Sequence, residues 1–463
     1  MSKLKISNPA HPEKIVAHYD ETEASELDAI VDRAREAQLT WARVPQPERG
    51  RILGAFFDAL EARTDEIAER ITLEMGKLLR ESKGEIGKGL AEARATISRA
   101  GAPLGEVLPS QTHGVGAYST RRPRGVVLGI NPWNFPFSTP IRKLAPALLY
   151  GNAIILKPAS LCPGAVVLIE EVARDFLPQG LLTVVIGPGR MGQFLCEHPG
   201  IDAVSFTGSV EVGKKVAIAA VSHLSEVSLE LGGKNPVILN DTSDIGSALD
   251  QITAAAMAVS GQRCTAISRV IVREEIFDSV IDGLTRRFSA LKPGDGTDPN
   301  SGLAPLSSGQ HLEDVAGFVD RARAAGATIE VGGTLVDTNS GGHYYPATLI
   351  SGVTPDMEIA RDEVFGPVVA VLRYKDIDEA LQIANGVAFG LSSCLYSEQS
   401  PVIEAFVNCS ESGMIHVNAG SFPENHMPFV GVKDSALGVG GSNGASTIQF
   451  YTTEHAVYRK DRA

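Results

Sequence analysis

Cysteine is sparse in this chain and scattered: Cys162, Cys196, Cys264, Cys394 and Cys409 are the five, and no two stand at C-x-x-C spacing. An odd number in so long a chain argues against a disulfide framework and a cysteine-built zinc cage, and leaves at least one thiol free for chemistry. The ten histidines fall into no H-x-x-x-H spacing, which disfavours a metallohydrolase. Positive charge is in deficit, with 42 Lys plus Arg against 55 Asp plus Glu for a net charge of −13. Nucleic acid and anionic membranes would be repelled overall. No apolar run reaches the roughly 18 residues of a membrane span. The opening Met1-Ser-Lys-Leu-Lys-Ile-Ser-Asn-Pro9 has no apolar core and no small-residue cleavage site, so the expectation is a cytoplasmic protein.

What the chain does have is length and two kinds of periodicity. Its 463 residues leave room for two or three domains of about 100–200 residues each. From Glu21 to about Arg99, apolar residues recur at helical spacing (Leu27, Ile30, Val31, then Ile52, Leu53, Phe56, Phe57, Leu60), which predicts three or four amphipathic helices. From Arg124, short β-rich runs at 126–130, 153–156, 182–186, 203–206 and 227–229 alternate with helical stretches. That alternation implies right-handed crossovers and a mostly parallel, doubly wound sheet of the nucleotide-binding kind. A second series after Pro236 supplies a separate α/β domain, with helical pattern at 245–259, 276–291 and 312–325 and β-rich runs at 270–272, 347–350 and 368–372. The Gly- and Ser-rich stretch 438–446 leads into a β-prone run, 448–452, which is too small to fold alone and must pack on something else.

Several segments carry candidate chemistry. Gly187-Pro-Gly-Arg-Met-Gly192 satisfies G-x-G-x-x-G, whose glycines let backbone amides approach a pyrophosphate. No acidic residue follows at the expected distance, and an ordinary strand-to-helix turn fits as well. In Ser205-Phe-Thr-Gly-Ser-Val-Glu-Val-Gly213 a strand runs into Gly208 and Ser209. A glycine open to close approach and an N-cap serine over unpaired first-turn N–H groups suit a diphosphate, or simply cap a helix.

Cys264, in Ser260-Gly-Gln-Arg-Cys-Thr265, occupies a helix-to-strand junction where a thiol can be exposed and sharply placed as a nucleophile. The other four cysteines read as packing residues. Glu230 ends an apolar strand just before Leu231-Gly-Gly233, in position for general-base work or as a solvated loop carboxylate. Asn134, within Pro132-Trp-Asn-Phe-Pro136, is held at the carboxyl end of the strand at 126–130. Its amide there supplies half an oxyanion hole, or caps a packed aromatic turn.

Taken together, Pro132-Trp-Asn-Phe-Pro136, Lys157-Pro-Ala-Ser160, Phe206-Thr-Gly-Ser209, Leu229-Glu-Leu-Gly-Gly-Lys234, Gly261-Gln-Arg-Cys264 and Glu363-Val-Phe-Gly-Pro367 strongly resemble the aldehyde dehydrogenase superfamily in order and spacing. The resemblance runs from about residue 8 to Phe450-Tyr-Thr452. It implies an α/β fold with a Rossmann-like NAD(P)-binding domain (1–110 and 124–232), an α/β catalytic domain (233–431) and a small β oligomerisation element (111–123 and 432–463). That element would combine Val115–Arg121 with the 448–452 run, and its exposed edges imply a homodimer or homotetramer. The implied chemistry is attack of Cys264 on an aldehyde carbonyl, with the oxyanion held by the Asn134 amide and the Cys264 N–H. Hydride then passes to a nicotinamide, and Glu230 activates the water that hydrolyses the thioester to a carboxylic acid. No metal is implied.

The same resemblance assigns Trp133, Lys157, Ser160, Gly208, Ser209, Glu363 and Phe365 to the cofactor and leaves Gly187–Gly192 structural. Ser160 stands where NAD-selective members commonly carry a glutamate that repels a 2′-phosphate. The expectation is therefore NAD or NADP, leaning towards NADP. Arg142 resembles the arginine that succinate semialdehyde dehydrogenases turn to a distal carboxylate. Val259 and 421–427 depart from that pocket, whereas Gly261–Arg269 and His426-Met-Pro-Phe429 look closer to 2-oxoglutarate semialdehyde dehydrogenases. The implied substrate is a carboxylated semialdehyde. Pro428-Phe-Val-Gly-Val-Lys-Asp-Ser-Ala436 replaces two glycines of the usual C-terminal motif with Val430 and Ala436. A CoA-acylating enzyme is the main rival and typically lacks a residue such as Glu230. A noncatalytic descendant would be expected to lose Cys264 or Asn134, and a cysteine hydrolase would need a histidine partner.

Overall fold

The computed structural model describes residues 3–336, 340–440 and 442–460. Met1 of the opening segment and Gly441 of the Gly- and Ser-rich stretch lie outside them. The helical periodicity of the first hundred residues becomes four helices, Leu27–Trp41, Gln46–Glu61, Thr64–Met75 and Leu79–Ile97. Each buries one stripe: in the first, Leu27, Ile30, Val31, Ala34 and Trp41 face inward at i, i+3, i+4, i+7 spacing. The third ends at Gly76, whose left-handed φ of 84° a Cβ would disfavour. Before them, Lys3–Asn8 and His11–Asp20 form an antiparallel hairpin that the sequence reading does not anticipate.

These helices pack with the first sheet, whose six strands run in the order Ala436–Gly438, Glu226–Glu230, Ala203–Thr207, Val126–Ile130, Ala153–Lys157, Leu182–Val184. All pairs are parallel except the outermost, in which Ala436 lies opposite Glu230. The chain reverses its winding between Val126–Ile130 and Ala203–Thr207, which opens a crevice at the carboxyl ends of these strands. Val126, Val127, Leu128, Ile154, Ile155, Leu156 and Val204 are fully buried, as strands covered on both faces require.

The second sheet orders seven strands: Thr328–Val331, Thr348–Ser351, Val368–Tyr374, Ile267–Arg273, Asn235–Leu239, Ser392–Tyr396, Met414–Val417. It too is parallel apart from the first pair. Two apolar clusters flank it, one around Ile238, Ile271 and Leu395, the other around Val237, Val270 and Cys394.

A third sheet pairs Val115–Pro123 antiparallel with Thr452–Lys460 over nine residues and with Val107–Leu108. The β-prone run at 448–452 is mostly helical instead: Thr447–Tyr451 forms a short helix that buries Phe450 and Tyr451, and the strand begins only at Thr452. The aromatic pair packs edge to face at 4.8 Å, and burying two rings in the main core outweighs local β propensity. The segment 432–463, grouped from the sequence with the bridging element, divides in its pairing. Ala436–Gly438 joins the first sheet, and only Thr452–Lys460 joins the third. Ala436 lies in this strand without a left-handed φ, so its methyl group fits.

Candidate active site

Segments far apart in sequence meet at the crevice. After Val126–Ile130, the turn Pro132–Phe135 lines a cavity of about 320 Å³ that also receives Glu230, Cys264, Arg142, Gly208, Ser209, Glu363 and Phe365. Cys264 comes from the other sheet, just ahead of Ile267–Arg273. Its approach is strained: Val259 and Ser260 adopt left-handed φ of 56° and 54°. The Ser260 hydroxyl donates to the Ala304 carbonyl at 2.9 Å, and the Val259 N–H donates to Glu81 at 2.7 Å, which fixes that conformation. Beyond Cys264, Asn235 Nδ2 donates to the carbonyls of Cys264 (2.7 Å) and Ala266 (2.8 Å).

Burial pushes the Cys264 thiol up to about 12, with the Glu230 and Glu363 carboxylates adding to the shift and the Arg142 and Arg263 guanidiniums opposing it. Asn134 is buried, and its Nδ2 donates to the Gln262 carbonyl at 2.8 Å, leaving its second N–H uncommitted. No described residue accepts the Cys264 backbone N–H. Glu230 receives the Thr207 hydroxyl on Oε2 at 3.4 Å, while its buried Oε1 has no hydrogen-bond partner. The turn beneath Glu230 is tied to the C-terminal segment: Leu231 N–H donates to the Ser435 carbonyl at 2.9 Å and Ser435 Oγ to the Gly232 carbonyl at 2.7 Å.

Arg142, which by resemblance would face a substrate carboxylate, is engaged within the protein. Its Nε and Nη2 donate to both oxygens of Glu92 (3.1 and 2.9 Å), its Nη1 is 3.9 Å from Glu230, and it stacks 4.6 Å over the Phe429 ring. Lys143, the next residue, points to the sheet side, where Nζ donates to Thr207 Oγ1 at 2.8 Å and to the Ile130 carbonyl at 3.1 Å. Burial brings its ammonium down to about 7.

At another edge of the cavity, Ser209 caps Val210–Val221, its Oγ accepting the Val212 N–H at 3.4 Å. Gly208 has no room for a Cβ, which would lie 2.5 Å from the Phe206 ring. Glu363 accepts the Gly233 N–H at 2.8 Å, and burial raises its carboxyl to about 7. Phe365 adopts a left-handed φ of 57°, Trp133 meets its ring edge-on at 5.5 Å, and His311 Nε2 lies 2.9 Å from its carbonyl.

Lys157 faces a second cavity together with Phe206, Gly189, Gly192 and Val212. Its Nζ donates to the Pro158 carbonyl at 3.0 Å, and burial lowers it to about 8. Ser160 Oγ donates to the Gly187 carbonyl at 2.8 Å. Gly189 and Gly192 of that loop also line the cavity that Lys157 faces.

The sequence profile of the aldehyde dehydrogenase family matches residues 1–457. The chain belongs to the aldehyde dehydrogenase family. Within it, the chain is 36% identical to an alpha-ketoglutaric semialdehyde dehydrogenase of Bacillus subtilis, the alignment covering 99% of this chain and 94% of that protein. It is also 36% identical to a succinate-semialdehyde dehydrogenase [NADP(+)] of Deinococcus radiodurans over 90% of this chain and 87% of that one. Betaine aldehyde dehydrogenase of Staphylococcus aureus, solved in complex with NAD+, superposes with a TM-score of 0.96 at 29% identity, covering 99% of this chain and 92% of that structure.

Members of the aldehyde dehydrogenase family use NAD or NADP, and the grouping above matches that need: a capped helix N-terminus, a glycine that admits close approach and a carboxylate. Lys88, Lys143, Arg263 and His311 also border or abut the site and escape the sequence reading. Their types are common on helices and in loops, and only the packing of separate elements turns them inward. Among the described residues no cluster of His, Cys, Asp and Glu could hold a metal ion, and no helix is long and apolar enough to cross a membrane.

Proposed function

We propose that this chain oxidises a carboxylated semialdehyde to the corresponding dicarboxylic acid, using Cys264 as nucleophile, Asn134 as oxyanion donor and Glu230 as base. The observation that carries the reading is the meeting of these three side chains in one cavity, with Glu230 Oε1 buried and unpartnered beside a thiol that burial keeps protonated. The thiol gives its proton up to solvent as sulfur bonds to the carbonyl carbon. The new oxyanion is held by the Asn134 amide and the Cys264 N–H. Bound NAD or NADP supplies the acceptor for the hydride released as the adduct becomes a thioester. Glu230 then takes a proton from water as the water oxygen bonds to the acyl carbon, the C–S bond breaks, and the acid leaves.

Ser209 and the first-turn amides of Val210–Val221 would hold the diphosphate, with Gly208 leaving room for it. Lys157 and Glu363 would hold the ribose hydroxyls, and Trp133 and Phe365 would shape the nicotinamide side. Ser160 offers no negative charge against a 2′-phosphate, which supports acceptance of NADP. The semialdehyde assignment is supported by the relatives named above and by the cations Lys88, Arg142 and Arg263 around the cavity. In this reading the enzyme works in the cytoplasm as a homodimer or homotetramer. It has an NAD(P)-binding domain at 1–110 and 124–232, a catalytic domain at 233–431 and a bridging element from 111–123 with the C-terminal strand.

Initial rates of cofactor reduction with acidic and neutral aldehydes, with and without CoA, test the reading. CoA-independent turnover of acidic aldehydes that vanishes in Cys264→Ser supports it. Strict dependence on CoA would overturn it.

A further inference from the structure

Three cations border the cavity next to Cys264, and two of them are already satisfied. Arg142 gives both arms of its fork to Glu92 and leans its third nitrogen towards Glu230. Arg263 donates to the Thr265 hydroxyl and the Ser421 carbonyl, each at 3.1 Å, and lies 5.0 Å from the Phe422 ring. The third, Lys88, projects from Leu79–Ile97 one turn before Glu92 and lines the same cavity. Glu92 would be its natural partner at i+4, but both Glu92 oxygens are taken by Arg142. No hydrogen bond or ion pair to the Lys88 ammonium is formed among the described residues. Burial disfavours its charge, the Glu92 carboxylate supports it, and the Arg142 and Arg263 guanidiniums oppose it.

A lysine turned into a partly closed cavity with its donors unused lacks an acceptor, and a guest carboxylate supplies one. We propose that Lys88, rather than Arg142, anchors the remote carboxylate of the substrate, so that the ligand class is an aldehyde carrying a terminal carboxylate at the opposite end of the chain. Arg142 then serves as a positioning residue, occupying both Glu92 oxygens and so leaving that ammonium without a hydrogen-bond partner. The proposal rests on the semialdehyde reading above and adds the group that enforces it.

The experiment compares wild type, Lys88→Met and Lys88→Arg on succinate semialdehyde and on butanal, which has the same carbon count and no carboxylate. The expected result is a fall of about 10- to 100-fold in the acid-to-neutral ratio of kcat/KM in Lys88→Met, the range of one charge-assisted hydrogen bond. The loss appears in KM for the acid, and Lys88→Arg recovers most of it. Thermal unfolding checks that both variants are folded, and Lys88→Gln substitutes if the methionine variant is not. A ratio within twofold of wild type in a folded variant overturns the proposal, as does an equal loss on both substrates, which marks a structural role. If wild type itself prefers butanal, the semialdehyde reading fails before any variant is compared. If wild type prefers the acid and that ratio stays within twofold in folded Lys88→Met, only the Lys88 assignment fails.

Discussion

At the residue scale, the reactivity of Cys264 follows from burial. Because the thiol is pushed up to about 12, the thiolate fraction should rise about tenfold per pH unit across the neutral range. Iodoacetamide labelling of Cys264 in the cofactor-free enzyme, followed by peptide mass spectrometry from pH 7 to 9, is expected to accelerate throughout that window; a plateau reached by pH 7 would contradict the account. Asn134→Ala removes one oxyanion donor and should lower kcat by about 100- to 1,000-fold. A loss under tenfold in steady-state assays would remove Asn134 from that role. Ser160→Glu should shift the ratio of kcat/KM from NADP towards NAD, and an unchanged ratio would show that Ser160 does not face the 2′-position.

These residues were legible because each lies in a short motif that places one functional group on a strand end or a junction. Lys88 and Lys143 were not. Whether a helical lysine faces solvent or a cavity depends on the element packed against it, and that contact joins Leu79–Ile97 to Ser138–Leu149 across some 50 positions of sequence, as the Arg142–Glu92 pair does. Glu92, the carboxylate that engages Arg142, stands 50 positions away in sequence and was not legible as its partner for the same reason.

At the scale of elements, the loop that carries Asn134 is held by a buried ion pair. Lys77 and Glu85 meet at 2.6 Å with side chains 0% and 1% exposed. Lys77 also donates to the Asn134 carbonyl at 2.7 Å. The Glu85 carboxylate accepts the N–H groups of Phe137 and Ser138 at 2.8 and 2.9 Å, which caps Ser138–Leu149 from outside the helix. Lys77→Met leaves that carboxylate buried with its cation gone and should cost about 3–5 kcal/mol. Urea unfolding read by circular dichroism measures this, and a change below about 1 kcal/mol would mean that water or a rearranged side chain replaces the ammonium.

The strands and helices that build the two sheets were readable from their alternation. Sequence gave no warning of the N-terminal hairpin, whose burial is shallow and whose apolar residues are few. The Thr447–Tyr451 helix was masked by residues with high strand propensity that the main core claims.

At the scale of the whole molecule, the three-stranded sheet of Val107–Leu108, Val115–Pro123 and Thr452–Lys460 stands with Val107, Leu108, Tyr118 and Tyr458 exposed. A long, apolar-studded, unprotected sheet is stable in water when a second copy covers it. Analytical ultracentrifugation is expected to give two or four times the chain mass at micromolar concentration, and a strict monomer would contradict this. Such an assembly would leave the crevice where it is, since both the switch point of the first sheet and the Cys264 junction of the second lie within one chain.

The central claim is that sulfur carries the acyl group. Glu230→Gln keeps the nucleophile and the oxyanion donors but removes the base that activates water, so the thioester should accumulate. Intact-mass and peptide spectrometry of that variant, quenched in acid after mixing with aldehyde and NADP, is predicted to show one acyl adduct on the peptide bearing Cys264. Sustained turnover with Cys264 unmodified, or an adduct on Cys162, Cys196, Cys394 or Cys409 instead, would contradict the account.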